Sequence, residues 1–409
     1  MRTRSERPAG RRRPAGHLLA GLLAGVVLAA AGVVTAVLPL PEARATGPTA
    51  AAPPVSVPPP EPAPEGALGP DRLPACAAVV EAMSPRARLA QRLVAGVDAA
   101  DPRAVAELVR TSQIGGIFLG GNATALLTGQ ALRGVQAMAR VPVSVAVDDE
   151  GGRVQRVDVL DGELPSARRM AATLSADEVR DLGRERGRAL ALRGVTVNYA
   201  PVVDLGGPGV SAAIGDRAFG EDPQTVARYA AAFAEGQREA GVYTVVKHFP
   251  GHGRAAGDSH LGRVTTPALD ELRAADLLPY AELVGPGGPL ADGRTGVMVG
   301  HLDVPGLTDE LPTSLSPAAY TLLREEYGFD GLVVTDDLGA MRAISAQFDL
   351  PDAVVRALAA GADAALWSDG GRVAEVLDTA EQALADGRLD PVANDRAVTR
   401  VLTAKGVCS

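Results

Sequence analysis

The chain has 409 residues, 46% of them hydrophobic and 22% charged, enough to bury one large core or two smaller ones and too apolar for a wholly disordered chain. Aromatic residues make up 3%, with Trp367 the single tryptophan, which argues against an aromatic platform for long polysaccharide or single-stranded nucleic acid. The net charge is −9, but residues 1–13 carry six Arg and one Glu, net +5, leaving −14 on the rest; an acidic body argues against nucleic acid as a partner.

In chain order, Arg2, Arg4, Arg7 and Arg11 to Arg13 precede an apolar run from Leu18 to Leu38. Roughly 20 apolar residues cross a bilayer as a helix, and a basic flank stays in the cytoplasm. The expected organisation is a basic flank over 1–17, a hydrophobic segment over 18–40, a Pro/Ala-rich linker over 41–75 and a globular domain over 76–409. The hydrophobic segment reads as an uncleaved anchor, with cleavage after Ala43-Arg44-Ala45 as the alternative. The protein is thus expected to be exported and held at the membrane facing outside, or secreted if the segment is removed. Leu73-Pro74-Ala75-Cys76 lies too far beyond the apolar run to serve as a lipidation site. Clusters such as Pro58-Pro59-Pro60 favour extended polyproline conformations, so the linker reads as a semi-rigid spacer. Cys76 opens the globular region and Cys408 nearly closes the chain; outside the cytoplasm this predicts a disulfide stapling the two ends, with two free thiols as the alternative.

Within residues 76–405 apolar β-branched runs alternate with longer stretches of helical period. Strands are predicted over Arg92–Val97, Gly116–Leu119, Val141–Val147, Val195–Tyr199, Val242–Val246, Val297–Gly300, Gly331–Thr335 and Ala364–Trp367. Eight such units predict a (β/α)8 barrel of the α/β class; an open doubly wound sheet is the runner-up, but no Gly-rich phosphate fingerprint follows an early strand. Asp148, Asp204, Lys247, His248, His301 and Asp336 fall just after predicted strands, where barrel enzymes gather their catalytic groups.

The densest chemistry is Lys247-His248-Phe249-Pro250-Gly251-His252-Gly253, followed by Asp258-Ser259-His260. Three of the five histidines of the chain lie here. Asp258 and His260 are two apart, so in an extended backbone they share one side and the carboxylate can orient the imidazole.

With these motifs in place, the sequence resembles glycoside hydrolase family 3, in its single-barrel β-N-acetylglucosaminidase branch. The resemblance covers nearly all of residues 80–400 and adds the segments Asp148-Asp149-Glu150-Gly151-Gly152-Arg153-Val154-Gln155-Arg156, Asn198-Tyr199-Ala200-Pro201-Val202-Val203-Asp204, Gly215-Asp216-Arg217-Ala218-Phe219-Gly220 and Thr335-Asp336-Asp337-Leu338. It implies an exo-acting retaining enzyme that needs no cofactor or metal, acts as a monomer and releases terminal β-linked N-acetylglucosamine from carbohydrates such as cell-wall muropeptides or chitooligosaccharides. It implies Asp336 as nucleophile, with Asp337 bracing the loop, and His260 as acid/base with Asp258 as its orienting partner. Asp148, Arg156, Arg217, Lys247, His248 and Met298 would bind the sugar, while His301 and Asp204 would hold loops. A neutral imidazole in place of the usual carboxylic acid leaves phosphorolysis as an alternative outcome.

Three features depart from the commonest pattern: Asp149 in place of Gln, Met341 one residue further from the nucleophile, and a Gly/Pro-rich connection over Val284–Thr295. All three are expected to bear on the leaving-group side of the pocket. The sandwich domain of many members is expected to be absent, so that the barrel and its loops supply the whole site. Two rival classes are a metal-dependent hydrolase with His248, His252, Asp258 and His260 as ligands, and a silent tethered binder of wall fragments.

Overall fold

The computed structural model describes residues 73–121, 124–207, 213–309 and 311–408. The basic flank, the apolar run and nearly all of the linker lie outside the described residues. Among the described residues no helix is long and apolar enough to cross a membrane.

Eight parallel strands close into a barrel: β1 (Leu93–Gly96), β2 (Gly116–Leu119), β3 (Ser144–Val147), β4 (Val197–Asn198), β5 (Tyr243–Phe249), β6 (Thr295–Val299), β7 (Val333–Asp337) and β8 (Ala364–Trp367). The pairing of Val94 with Leu366 closes the ring and removes the open-sheet alternative. Side chains alternate with the period of two that a strand imposes. Phe118, Ala146, Val245, Met298, Val334 and Leu366 form the barrel interior, while Ile117, Val145, Val246, Val297, Val333 and Trp367 face the surrounding helices.

Local chemistry sets where the helices begin. Pro102–Ser112, Pro223–Glu239 and Pro391–Ala404 each start with Pro, which has no N–H to leave unpaired, and each is preceded by an Asp whose carboxylate accepts first-turn backbone N–H groups. Ala176–Leu192 starts with a reciprocal capping box between Ser175 and Glu178. The final helix, Pro391–Ala404, sends Val401 into the interior cluster and so plugs the N-terminal end of the barrel. Beside it Arg92 donates to the carbonyls of Leu358, Ala362 and Asp363 and to Asn394 Oδ1, and burial pushes its pKa down to about 10.

The two ends of the described chain meet. Val80, on the helix Leu73–Glu81, packs with Val398 and Leu402 of the final helix. Cys76 and Cys408 are joined by a disulfide across a Cα–Cα distance of 5.3 Å.

Two strands run further than their hydrophobic patterns predict. β5 continues through Lys247 and His248 to Phe249, and β7 continues through Asp336 and Asp337, so these polar residues belong to strands instead of following them. Pairing with neighbours supplies the reason: Phe249 is registered on Val299 and Asp337 on Leu366. The Val284–Thr295 connection leads into the start of β6 and therefore lies at the end of the barrel opposite the strand C-termini. There Pro289 O and Asp292 accept from Arg238, so this departure has no bearing on the mouth.

Candidate active site

The polar residues at the C-terminal ends of the strands form one connected network. Along β5, Tyr243 and Val245 point into the barrel, and the same alternation brings Lys247 inward one layer higher. Its Nζ lies 2.5 Å from Asp148 Oδ1 and 2.6 Å from Glu150 Oε1, the latter in the loop after β3. Glu150 also accepts both forks of Arg217, with Nε and Nη2 each at 2.7 Å. Bidentate charge-assisted bonds of this kind fix orientation as well as position. Burial alone would push the Glu150 carboxyl up, but Arg217 and Lys247 outweigh it and hold it far below the usual carboxylate range. Burial likewise opposes the charge on Lys247, and Asp148 and Glu150 overcome it, leaving the ammonium pKa raised.

His248 Nδ1 lies 2.7 Å from Asp204 Oδ2, so its N–H donates to the carboxylate and Nε2 is left facing the pocket, 3.4 Å from Arg217 Nη2. Asp204 is fully buried and also accepts the backbone N–H of His252 at 2.7 Å. Burial would raise its carboxyl, but His248 leads the opposing groups and keeps it low. Asp204 therefore holds the chain around two histidines, as expected of a residue that secures a loop.

Asp336 sits two residues beyond the inward-facing Val334, half-buried at the end of β7. Burial pushes its carboxyl up, yet His248 and His301, the Asp337 N–H at 2.9 Å and Lys247 bring it down to about 2. The group is a carboxylate at any physiological pH. Asp337 turns the other way: Gly339 N at 2.9 Å, Ala340 N at 3.1 Å, Ser368 N at 3.0 Å and the Ser368 hydroxyl all donate to it. A carboxylate with its oxygens so occupied braces the β7 and β8 loops. His301 supports the same backbone. Its Nε2–H donates to Asp337 O at 2.9 Å and Nδ1 accepts from the Ser314 hydroxyl at 2.7 Å, with burial lowering the imidazole pKa and favouring this neutral tautomer.

Asp258 and His260 meet, although the backbone between them is a turn and not the extended segment expected. Asp258 Oδ1 accepts His260 Nδ1–H at 2.7 Å and the His260 backbone N–H at 2.9 Å, while Leu261 N closes the turn on Asp258 O at 2.9 Å. With Nδ1 so engaged, Nε2 is the nitrogen left to exchange protons. The His260 side chain is 62% exposed, at the tip of the loop.

Arg156 Nη1 donates to Gln155 O at 2.8 Å, and its Nε is buried without a partner. Met298 is 2% exposed and packs in the barrel interior with Tyr199 and Val334. Asp149 adds no charge to the pocket: it is fully buried, accepts the N–H groups of Arg156 and Val157, and lies 3.5 Å from Arg186. Burial raises its carboxyl, an effect Arg186 and these N–H groups only partly offset. A β-carbon at Gly253 would collide with the Leu205 carbonyl and one at Gly251 with Asp276, so close packing requires glycine at both.

Glu150 is the site residue that sequence reasoning missed. Its position in Asp-Asp-Glu was the available signal, but nothing in the sequence tells which of three consecutive carboxylates turns toward Arg217. Among the described residues, no group of three or more His, Cys, Asp or Glu side chains is arranged to hold a metal ion.

The sequence model of the glycosyl hydrolase family 3 N-terminal domain matches residues 86–404. The chain belongs to glycoside hydrolase family 3. It is a glycoside hydrolase enzyme. A beta-hexosaminidase, LpqI, of Mycobacterium tuberculosis (strain ATCC 25618 / H37Rv) is 50% identical over 332 residues, covering 79% of this chain and 83% of that protein. A family 3 glycosyl hydrolase from Mycobacterium smegmatis superposes with a TM-score of 0.75 at 49% identity, covering 81% of this chain and 99% of that one. A family 3 β-N-acetylglucosaminidase from Paenibacillus sp. str. FPU-7 gives a TM-score of 0.72 at 30% identity, covering 80% of this chain and 62% of that one.

Proposed function

We propose that this family 3 enzyme is an exo-acting retaining β-N-acetylglucosaminidase that removes terminal N-acetylglucosamine from peptidoglycan fragments. The observation that carries this reading is the pairing of a carboxylate held ionised at a strand end, Asp336, with a histidine oriented by its own carboxylate on a neighbouring loop. Relatives named for hexosaminidase and β-N-acetylglucosaminidase activity support the choice of sugar.

In the first step Asp336 attacks the anomeric carbon while His260 Nε2–H protonates the departing oxygen. The leaving group exits as an alcohol, and a glycosyl-enzyme ester forms on Asp336. In the second step His260, now neutral, takes a proton from water as that water attacks the same carbon, and the ester bond to Asp336 breaks. Asp258 stabilises the imidazolium that carries this proton before the first step and is regenerated by the second. Asp148, Arg156, Arg217, Lys247 and His248 hold the sugar hydroxyls, with Glu150 fixing Arg217 and Lys247 against each other. His248, His301, the Asp337 N–H and Lys247 favour the ionised form of this nucleophile against its burial.

The test is incubation of the purified enzyme with aryl β-N-acetylglucosaminide, β-glucoside and β-xyloside, with the product anomer followed by NMR. Preferred cleavage of the first with initial release of the β-anomer is expected. A preference for the glucoside, or release of the α-anomer, would overturn the reading. Running the same reaction in phosphate and looking for N-acetylglucosamine 1-phosphate separates hydrolysis from phosphorolysis.

A further inference from the structure

Between Ala255 and Val264, all of them described residues, Ser259 alone is buried, at 1% exposure. The rest of this stretch is exposed or half-buried, including Leu261 at 75% exposure, so a small polar residue is its one buried position. Ser259 also stands between Asp258 and His260, and it is tied down twice. Its hydroxyl lies 3.0 Å from His252 Nε2, and its carbonyl accepts Ala343 N at 3.1 Å.

We propose that Ser259 is the positioning residue of the acid/base loop, anchored by His252 and registered through Ala343 to the segment that follows the nucleophile. This rests on the assignment of His260 and Asp258 made above. His252 is a firm anchor because it is 3% exposed, its N–H is held by Asp204 at 2.7 Å, and its ring stands edge-on to His248 at 6.0 Å. One bond from Asp204 thus leads to His248 in the sugar pocket, and another leads through His252 to the loop tip. The carbonyl bond to Ala343 ties the same tip to the short helix Arg342–Ser345, a few residues beyond Asp336. Fold stability alone does not account for the imidazole at 252. Its buried Nδ1 finds no hydrogen-bond partner in another residue, so the side-chain contact it makes is the one through Nε2. What the imidazole provides is Nε2 at the right reach for Ser259. Without that bond, the turn that holds Asp258 against His260 would survive, since it is local, but its placement over the leaving group would not.

The test compares Ser259→Ala, Ser259→Thr, His252→Ala and the Ser259→Ala/His252→Ala pair across aryl glycosides of graded leaving-group pKa and a β-N-acetylglucosaminyl disaccharide. For Ser259→Ala the ratio of kcat/KM on the disaccharide to that on a dinitrophenyl glycoside should fall about 10- to 100-fold, and the dependence on leaving-group pKa should steepen. Ser259→Thr, which keeps the hydroxyl, should restore most of the ratio. The double variant should be no worse than the poorer single variant, because both remove one bond. Should His252→Ala fail to fold, Ser259→Ala and Ser259→Thr carry the test by themselves, since their position lies on the loop. An unchanged ratio in Ser259→Ala, with the ratio collapsing in His260→Ala, would overturn the anchor and keep the acid/base assignment. No change of ratio in His260→Ala would overturn both.

Discussion

Replacing Glu150 by Gln tests whether the two cations of the pocket are held by one buried carboxylate. Glu150, Arg217 and Lys247 are 3%, 11% and 2% exposed in their side chains, so water cannot take over the lost charge. The network of Asp148, Glu150, Arg217 and Lys247 passes from formally neutral to a net charge of +1. Removing one partner of a buried ion pair costs about 3–5 kcal/mol, and because Gln keeps the shape and one carbonyl acceptor we place this change near about 3 kcal/mol. At about 2 °C per kcal/mol for a domain of this size, the melting temperature should fall by about 6 °C. Arg217 and Lys247 lose their common support, so kcat/KM should drop about 100-fold on every substrate, irrespective of leaving group. The pH dependence has a definite sign. The Glu150 carboxyl is depressed in the folded state, so its stabilisation is complete above its ordinary value of 4.5 and is lost as pH falls below it. The difference in melting temperature between wild type and Glu150→Gln should therefore be constant between pH 5 and pH 8 and should shrink below about pH 4.5. Thermal melts followed by circular dichroism, with kcat/KM at each pH, measure both effects. A melting temperature within about 1 °C of wild type at pH 7, or unaltered kcat/KM, would refute the argument that Glu150 organises the pocket.

Asp336→Ala should abolish turnover and retain product binding, whereas Asp337→Asn should lose about tenfold by loosening the β7 and β8 loops; labelling of Asp337 by a fluorinated substrate analogue, read by peptide mass spectrometry, would reverse the assignment. His260→Ala should be rescued in its second step by azide, detected as the β-glycosyl azide, and absence of that product would return the acid/base role to a carboxylate. Cys76→Ser removes a cross-link between residues 332 apart in sequence and should lower unfolding free energy by about 2–5 kcal/mol in denaturant titrations, with kcat unchanged because the link lies at the far end of the barrel from the site. Cells producing the full chain should keep it in the membrane fraction with the barrel accessible to external protease; a soluble form beginning near Thr46 would show cleavage.

The alternation of β-branched runs with helical stretches determines eight strands by itself, because burial on both faces leaves each strand a short apolar block between polar ends. The same rule misplaces the ends of two strands that matter most. Lys247, His248, Asp336 and Asp337 are polar, so a hydrophobic pattern stops before them, and only pairing with β6 and β8 shows that the strands continue. Residue type and spacing identify the Asp258 and His260 pair, since the carboxylate and the imidazole meet through local backbone. Asp149 and Glu150 could not be sorted this way. Asp149 turns back toward Arg186 and Glu150 turns in toward Arg217 and Lys247, residues 67 and 97 positions away that adjoin it only once the barrel has closed. Ser259 reads in the sequence as a spacer between two reactive residues. It becomes an anchor because the tertiary fold buries His252 within reach of its hydroxyl and sets Ala343 against its carbonyl, contacts that depend on how the loops after β5 and β7 pack and that local propensity does not encode.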